Sequence, residues 1–195
     1  MSETAIHAAI EYISRLFSDN AGGHDTEHTL RVYRTAMAIA DAESACDREI
    51  IALAALLHDA DDHKLFYTKN NENARTFLKN AGIPESRMEQ IVETINAVSF
   101  SKNQGKVPGT IEAKIVQDAD RLDALGAIGI ARTFAYGGEH GRPLSDSVQH
   151  FYDKLLRLKD LMNTETAKKI AEKRHEFLLE FLQEIEKEIN SNARK

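Results

Sequence analysis

Apolar residues recur along this chain at helical spacing, and the strongest such segment lies near its middle. From Asp47 to His58, Ile50, Ile51, Leu53, Ala54, Leu56 and Leu57 wrap most of a helix, which predicts a segment buried on nearly every side and central to the fold. From Asp25 to Ala42, Leu30, Val32, Tyr33, Ala36, Met37, Ile39 and Ala40 form a broad apolar face, with Asp25 or Thr26 as N-cap. Pro84, whose fixed φ suits a first turn, opens a helix that carries Met88, Ile91, Val92 and Ile95 and stops near Ser99. After Pro108-Gly109 another runs through Ile111, Ile115, Val116, Ala119 and Leu122, with Leu125, Ile128, Ile130 and Phe134 continuing the pattern. Ser145 and Thr164 are expected to cap two C-terminal helices, the second marked by Ile170, Phe177, Leu178, Phe181, Leu182, Ile185 and Ile189. Loops are expected at Ala60 to Asn73, Phe100 to Gly109 and Tyr136 to Leu144, with fraying from Ser191. The pattern predicts an all-α, single-domain chain over residues 1–195, with the helices at 145–190 packing on the preceding core.

Composition narrows the class without changing the fold. A chain of 195 residues with 42% hydrophobic and 29% charged residues is an ordinary globular one, large enough to fold without a disulfide or a structural metal. Any metal would then serve chemistry. The single cysteine, Cys46, reads as a small packing residue in a reducing compartment. Neither a membrane-length apolar run nor a basic-then-apolar leader is present, so a cytoplasmic protein is expected. Lys and Arg number 25 against 31 Asp and Glu, a net charge of −6, which disfavours a polynucleotide backbone as partner.

The candidate chemistry lies in polar residues that a core would not choose. His58 and Asp59 end the most apolar helix, His58 sharing a face with Ile51, Ala54 and Ala55. A carboxylate at a helix C-terminus is disfavoured by the macrodipole, and Asp61 and Asp62 add like charge, so a compensating positive group is expected. His28 shares its face with Val32, Ala36 and Ile39, and Asp120 is flanked by Val116, Ala124 and Ala127. A buried carboxylate without a partner costs several kcal/mol, whereas one on a divalent ion is compensated. Two imidazoles and two carboxylates on three helices satisfy one another through one ion and leave water positions open.

In this order, His28, His58-Asp59 and Asp120 resemble the H…HD…D signature of the HD-domain metal-dependent phosphohydrolase superfamily. His28-Thr29-Leu30-Arg31-Val32 is similar to its first motif, Leu56-Leu57-His58-Asp59 to its second, and the run from Gln117 to Gly126 to its third. The resemblance spans about residues 22–145. Gln117 to Arg132, Ser99-Phe100-Ser101 and Tyr136-Gly137-Gly138 carry it towards small bacterial HD hydrolases that include nucleoside triphosphate pyrophosphohydrolases. It implies an all-α HD-domain fold with the metal site among central helices. It also implies that His28, His58, Asp59 and Asp120 hold one divalent ion, Mn²⁺ first, with Mg²⁺, Co²⁺, Ni²⁺ or Fe²⁺ as alternatives. Asp118 competes with Asp120 for the last place, although helical geometry turns the two about 200° apart. Val98 stands where many relatives carry histidine, so one ion rather than two is expected.

By the same resemblance Asp62 occupies the position of the acid that orients or deprotonates the attacking water, and metal-activated water attacks phosphorus. Arg31, Lys64, Arg121 and Arg142 are the expected phosphate contacts, Arg31 and Lys64 first, with Lys102 beside them. Arg121 has an alternative as an ion pair with Asp123 or Asp118. Gly137, Gly138 and Gly141 around His140 suit a lid over substrate. His24, His63 and His140 read as loop histidines. The expected activity is hydrolysis of a small phosphorylated substrate, a (deoxy)nucleoside triphosphate giving monophosphate and pyrophosphate, with no nucleic-acid polymer and no membrane as partner. The alternatives are a 5′-nucleotidase and a non-catalytic nucleotide-sensing HD domain, the latter disfavoured by the intact quartet.

Overall fold

Side-chain caps set where several helices begin. The Asp25 carboxylate accepts the His28 N–H at 2.7 Å, Asp47 accepts those of Glu49 and Ile50 at 3.1 and 3.2 Å, and Thr164 Oγ1 accepts that of Ala167 at 3.2 Å. The structure, a computed structural model, describes residues 3–18, 25–43, 45–63, 65–99, 103 and 106–191. Among these it has nine α-helices and no strand: α1 (Glu3–Leu16), α2 (Thr26–Ala42), α3 (Arg48–Leu57), α4 (Glu72–Asn80), α5 (Glu85–Val98), α6 (Ile111–Asp123), α7 (Gly126–Glu139), α8 (Leu144–Asp153) and α9 (Glu165–Ser191). A 3₁₀ segment, Leu155–Leu161, precedes α9. None of the described helices is long and apolar enough to cross a membrane.

The chain divides into two compact units, Met1–Asp120 and Arg121–Lys195. In the first, α3 is the hub. Every residue from Ile50 to Leu57 is buried, and α1, α2 and α5 pack around it. The all-round apolar pattern of this segment thus has its physical counterpart. Helices α1 and α4, not anticipated from the pattern, add Ala9, Ile13, Ala74 and Leu78 to this core. Helix α4 begins at Glu72, inside the expected loop, and rests on α5.

At the start of α3, Arg87 from α5 reaches Asp47 at 2.7 Å and Glu49 at 3.0 Å. The Arg87 hydrogen bond, aided by the Ile50 and Glu49 amides and opposed by burial, holds the Asp47 carboxyl below its ordinary value. A depressed acid contributes stability above its unfolded pKa of about 4 and loses it as pH falls through the lower folded value. Asp47→Asn is therefore expected to flatten the acid limb of the stability profile. Urea midpoints measured between pH 2 and 6 check this; parallel acid limbs in the two proteins would discard it.

The second unit packs α7, α8, the 3₁₀ segment and α9, with Phe134, Phe151 and Phe181 clustered at centroid separations of 5.8–6.0 Å. Three expectations are corrected here. The long helix after Gly109 is interrupted: Leu125 is extended and Gly126 has φ +70°, a conformation that favours glycine. Residues Tyr136 to Glu139 are helical rather than a flexible loop, and a Cβ on Gly137 would stand 2.5 Å from Ser147 Oγ. That glycine permits close packing; it does not loosen a lid. Pro143, not Ser145, occupies the N-cap position of α8, and the Ser145 hydroxyl bonds Asp146 Oδ1 at 3.1 Å inside the first turn.

Candidate metal centre

Helices α2, α3 and α6 bring the predicted donors to one place within the first unit. His28 lies in the first turn of α2, where the Asp25 cap fixes its peptide, and it is buried. His58 occupies the C-cap position of α3, and Asp59 follows it in a turn closed by Ala60 N–H to Leu57 carbonyl at 3.1 Å. Asp120 comes from α6. His28 Nε2 is 3.5 Å from both Asp59 Oδ2 and Asp120 Oδ1; His58 Nε2 is 3.4 and 3.8 Å from the same two oxygens. Most of these separations exceed ordinary hydrogen-bond lengths, and they are close to the roughly 3.0–3.4 Å between neighbouring donors that share an ion at bonds of about 2.1 Å.

One atom tests whether a cation belongs there. His58 Nδ1 lies 2.9 Å from the Ala55 carbonyl, which can only accept, so Nδ1 carries the proton and Nε2 keeps a lone pair. That Nε2 is buried and has no hydrogen-bond partner. A buried acceptor left in this way costs about 1–3 kcal/mol, and a metal ion satisfies it. The α3 C-terminus adds partial negative charge beside it, which favours a cation. His28, His58 and Asp120 offer donor atoms all within 4.8 Å of one another, and no second group of this kind occurs among the described residues. The donor set fits a divalent ion.

Asp120 differs from expectation in one respect. Its side chain keeps 29% of its surface exposed, so it faces an opening rather than an apolar wall. Asp118, the competing candidate, is fully buried and is not one of the converging donors.

The other predicted residues fall in different surroundings. Asp62 lies one turn beyond Asp59, its N–H bonded to the Asp59 carbonyl at 3.0 Å, with 18% of its side chain exposed and His63 Nδ1 at 3.8 Å. Arg31 is half-buried, one turn along α2 from His28. In the second unit, Arg121 is buried and donates through Nη1 to the Leu161 carbonyl, a tie within that unit, and Asp123 pairs with Arg132 at 2.7 Å. Arg142 sits 5.1 Å from the centroid of the Tyr136 ring, on which His140 stacks at 3.9 Å. His24, Lys64, Phe100, Ser101 and Lys102 lie outside the described residues.

Asp61, read from sequence as a repelling charge, instead accepts the N–H groups of Asn73 and Ala74 at the start of α4, both at 3.0 Å. The positive end of that helix is the compensating group. No local signal in the sequence announces it.

The sequence model of the HD domain matches residues 26–125. The chain is 41% identical over 187 residues to the YpgQ protein of Bacillus subtilis, covering 91% of this chain and 90% of that protein. The crystal structure of B. subtilis YpgQ in complex with ADP is similar with a TM-score of 0.79 at 39% identity, covering 93% of this chain and 97% of that one. An HD-superfamily hydrolase from Bacillus thuringiensis is similar with a TM-score of 0.79 at 40% identity, covering 97% and 99%.

Proposed function

Because the chain belongs to the HD-domain family, we propose that it is a metal-dependent phosphohydrolase acting on a nucleotide, with triphosphate cleavage to monophosphate and pyrophosphate as the specific reaction. The observation that carries this reading is the convergence of His28, His58 and Asp120, with Asp59 beside them, around a buried His58 Nε2 that has no protein partner. The ADP bound by B. subtilis YpgQ supports a nucleotide as substrate.

In this reading His28, His58, Asp59 and Asp120 hold one ion, and their mixed nitrogen and oxygen donors favour Mn²⁺ over an all-oxygen Mg²⁺ site. A divalent ion bound there lowers the pKa of water and withdraws charge from a phosphoryl oxygen. Asp62, one turn past Asp59, takes the proton of the water that attacks phosphorus. Arg31, on the same face of α2 as His28, neutralises phosphate charge during the displacement. Asp59 and Asp120 offset the charge of the ion, and the Ala55 carbonyl keeps the His58 imidazole oriented.

A metal-by-substrate screen tests the proposal, reading phosphate and pyrophosphate separately for nucleoside mono-, di- and triphosphates, with Asp59→Ala as control. Pyrophosphate from triphosphates, lost in the control, is the expected result. Phosphate from monophosphates would replace it with a 5′-nucleotidase. Turnover no greater than the control with every metal and substrate would remove the enzymatic reading.

A further inference from the structure

The segment that carries Asp59 and Asp62 is fastened between them, at Ala60 and Asp61, by residues outside the donor set. Asp61 gives one carboxylate oxygen to the N–H of Asn73 and the other to that of Ala74, each at 3.0 Å. Asn73 returns the bond, its side-chain Nδ2 donating to the Ala60 carbonyl at 2.8 Å. Tyr12, from α1, donates its hydroxyl to the Asn73 carbonyl at 3.2 Å and stacks on Phe77 of α4 at 5.0 Å. Burial, and then the nearby Asp61 charge, push the Tyr12 phenol up.

Helix α4 could have been capped locally. Asn71 precedes its first residue and is a favourable cap type, but its φ is +54° and its side chain goes to Asn96 Oδ1 at 2.9 Å. The orphan amides of the first turn are satisfied instead from the far end of the loop. A local cap would stabilise α4 and leave residues 60–71 to be ordered by other contacts. A cap from Asp61 does both: it closes the loop and fixes the peptides on either side of Asp61. One side leads through the buried Ala60 to Asp59; the other is Asp62, whose N–H bonds the Asp59 carbonyl at 3.0 Å and whose carbonyl accepts from Leu65 and Phe66 at 2.9 Å.

We propose that Asp61 and Asn73 form a positioning clamp that sets the placement of Asp59 and Asp62 at the metal centre. The proposal rests on the reading of His28, His58, Asp59 and Asp120 as a metal site. Asp61 is a positioning residue and touches neither ion nor substrate. Its counterpart for comparison is Asp47, which caps two amides with the same chemistry at the opposite end of α3 from His58, about 16 Å away along the helix.

The test is Mn²⁺ titration of the full chain, followed by the electron paramagnetic resonance signal of free Mn²⁺, on wild type, Asp61→Ala, Asp61→Asn, Asn73→Ala, Asp47→Ala and Asp59→Ala. Asp61→Ala is expected to weaken Mn²⁺ binding about tenfold, the lower end of what outer-shell partners contribute. Asp61→Asn, which sets an NH₂ donor against a backbone N–H, is expected to weaken it several-fold, and Asn73→Ala, which removes only the return bond, by about twofold to fivefold. Asp47→Ala is expected to lower the melting temperature and leave Mn²⁺ affinity unchanged. The melting temperature alone would fall in both aspartate variants if Asp61 were merely structural; the affinity separates them. Should Asp61→Ala not fold, Asp61→Asn and Asn73→Ala carry the test. Wild-type affinity in all folded Asp61 and Asn73 variants would overturn the clamp while leaving the metal site standing. Absence of Mn²⁺ binding in wild type would overturn the metal-site reading, and the clamp with it.

Discussion

Replacing His58 by alanine is expected to abolish the stabilisation that Mn²⁺ confers and to lower nucleotide hydrolysis by roughly 10³-fold or more, beyond the 10–100-fold that outer-shell changes cost. The expectation follows from one ring. Nδ1–H is committed to the Ala55 carbonyl at 2.9 Å, which aims a lone pair at Nε2 towards Asp59 and Asp120, and that nitrogen is buried with no protein partner. Wild type at a Mn²⁺ concentration 100 times its Kd should gain about 2.7 kcal/mol, or roughly 5–10 °C in Tm for a chain of this size. His58→Ala should gain nothing. Without metal the variant is expected to keep its fold, because the truncation also removes a buried nitrogen that the apoprotein leaves unsatisfied. Thermal melts with and without Mn²⁺ decide the matter; an equal upward shift in both proteins would mean that the ion binds elsewhere.

Gly129→Ala is expected to destabilise the second unit by about 3 kcal/mol, at or above the upper end of ordinary overpacking costs. Helix propensity argues the other way. A glycine inside a helix is worse than alanine by about 1 kcal/mol, so the sequence alone favours the substitution. The structure reverses the sign: a Cβ at Gly129 would stand 2.2 Å from the Ala124 carbonyl oxygen and 2.5 Å from its carbon. Both are backbone atoms and cannot swing aside as a side chain would. Thr133 further fixes this turn, its hydroxyl donating to the Gly129 carbonyl at 2.8 Å. Urea unfolding of the two proteins measures the difference, and a stabilisation near 1 kcal/mol would show that the turn relaxes freely.

The same contrast between local and tertiary causes runs through the molecule. Helix α3 was readable because apolar residues on every side can mean only burial, and α2 because its apolar stripe and its Asp25 cap lie within a few residues of one another. The break at Gly126 was not readable from periodicity, since Ile128, Ile130 and Phe134 continue the apolar spacing across it; the positive φ of one glycine interrupts the helix without disturbing the pattern. Helix α1 went unanticipated because much of its burial comes from α3, distant in the chain, and α4 because its nine residues offer only a short apolar stripe.

At the metal centre, four polar residues in apolar surroundings were enough to nominate His28, His58, Asp59 and Asp120 from sequence, because a core admits such groups only when something satisfies them. The choice between Asp118 and Asp120 required the structure, which buries the first and turns the second towards both imidazoles. Asp61 was misread because a carboxylate has several local partners in sequence, whereas its bonds run to Asn73 and Ala74. The helical class and a set of candidate donors were legible along the chain, since periodicity and the cost of burying charge act on neighbouring residues. Which carboxylate meets the imidazoles, which glycines are sterically required and which acid ties the loop down emerge in the folded chain alone, because each depends on atoms that folding brings together.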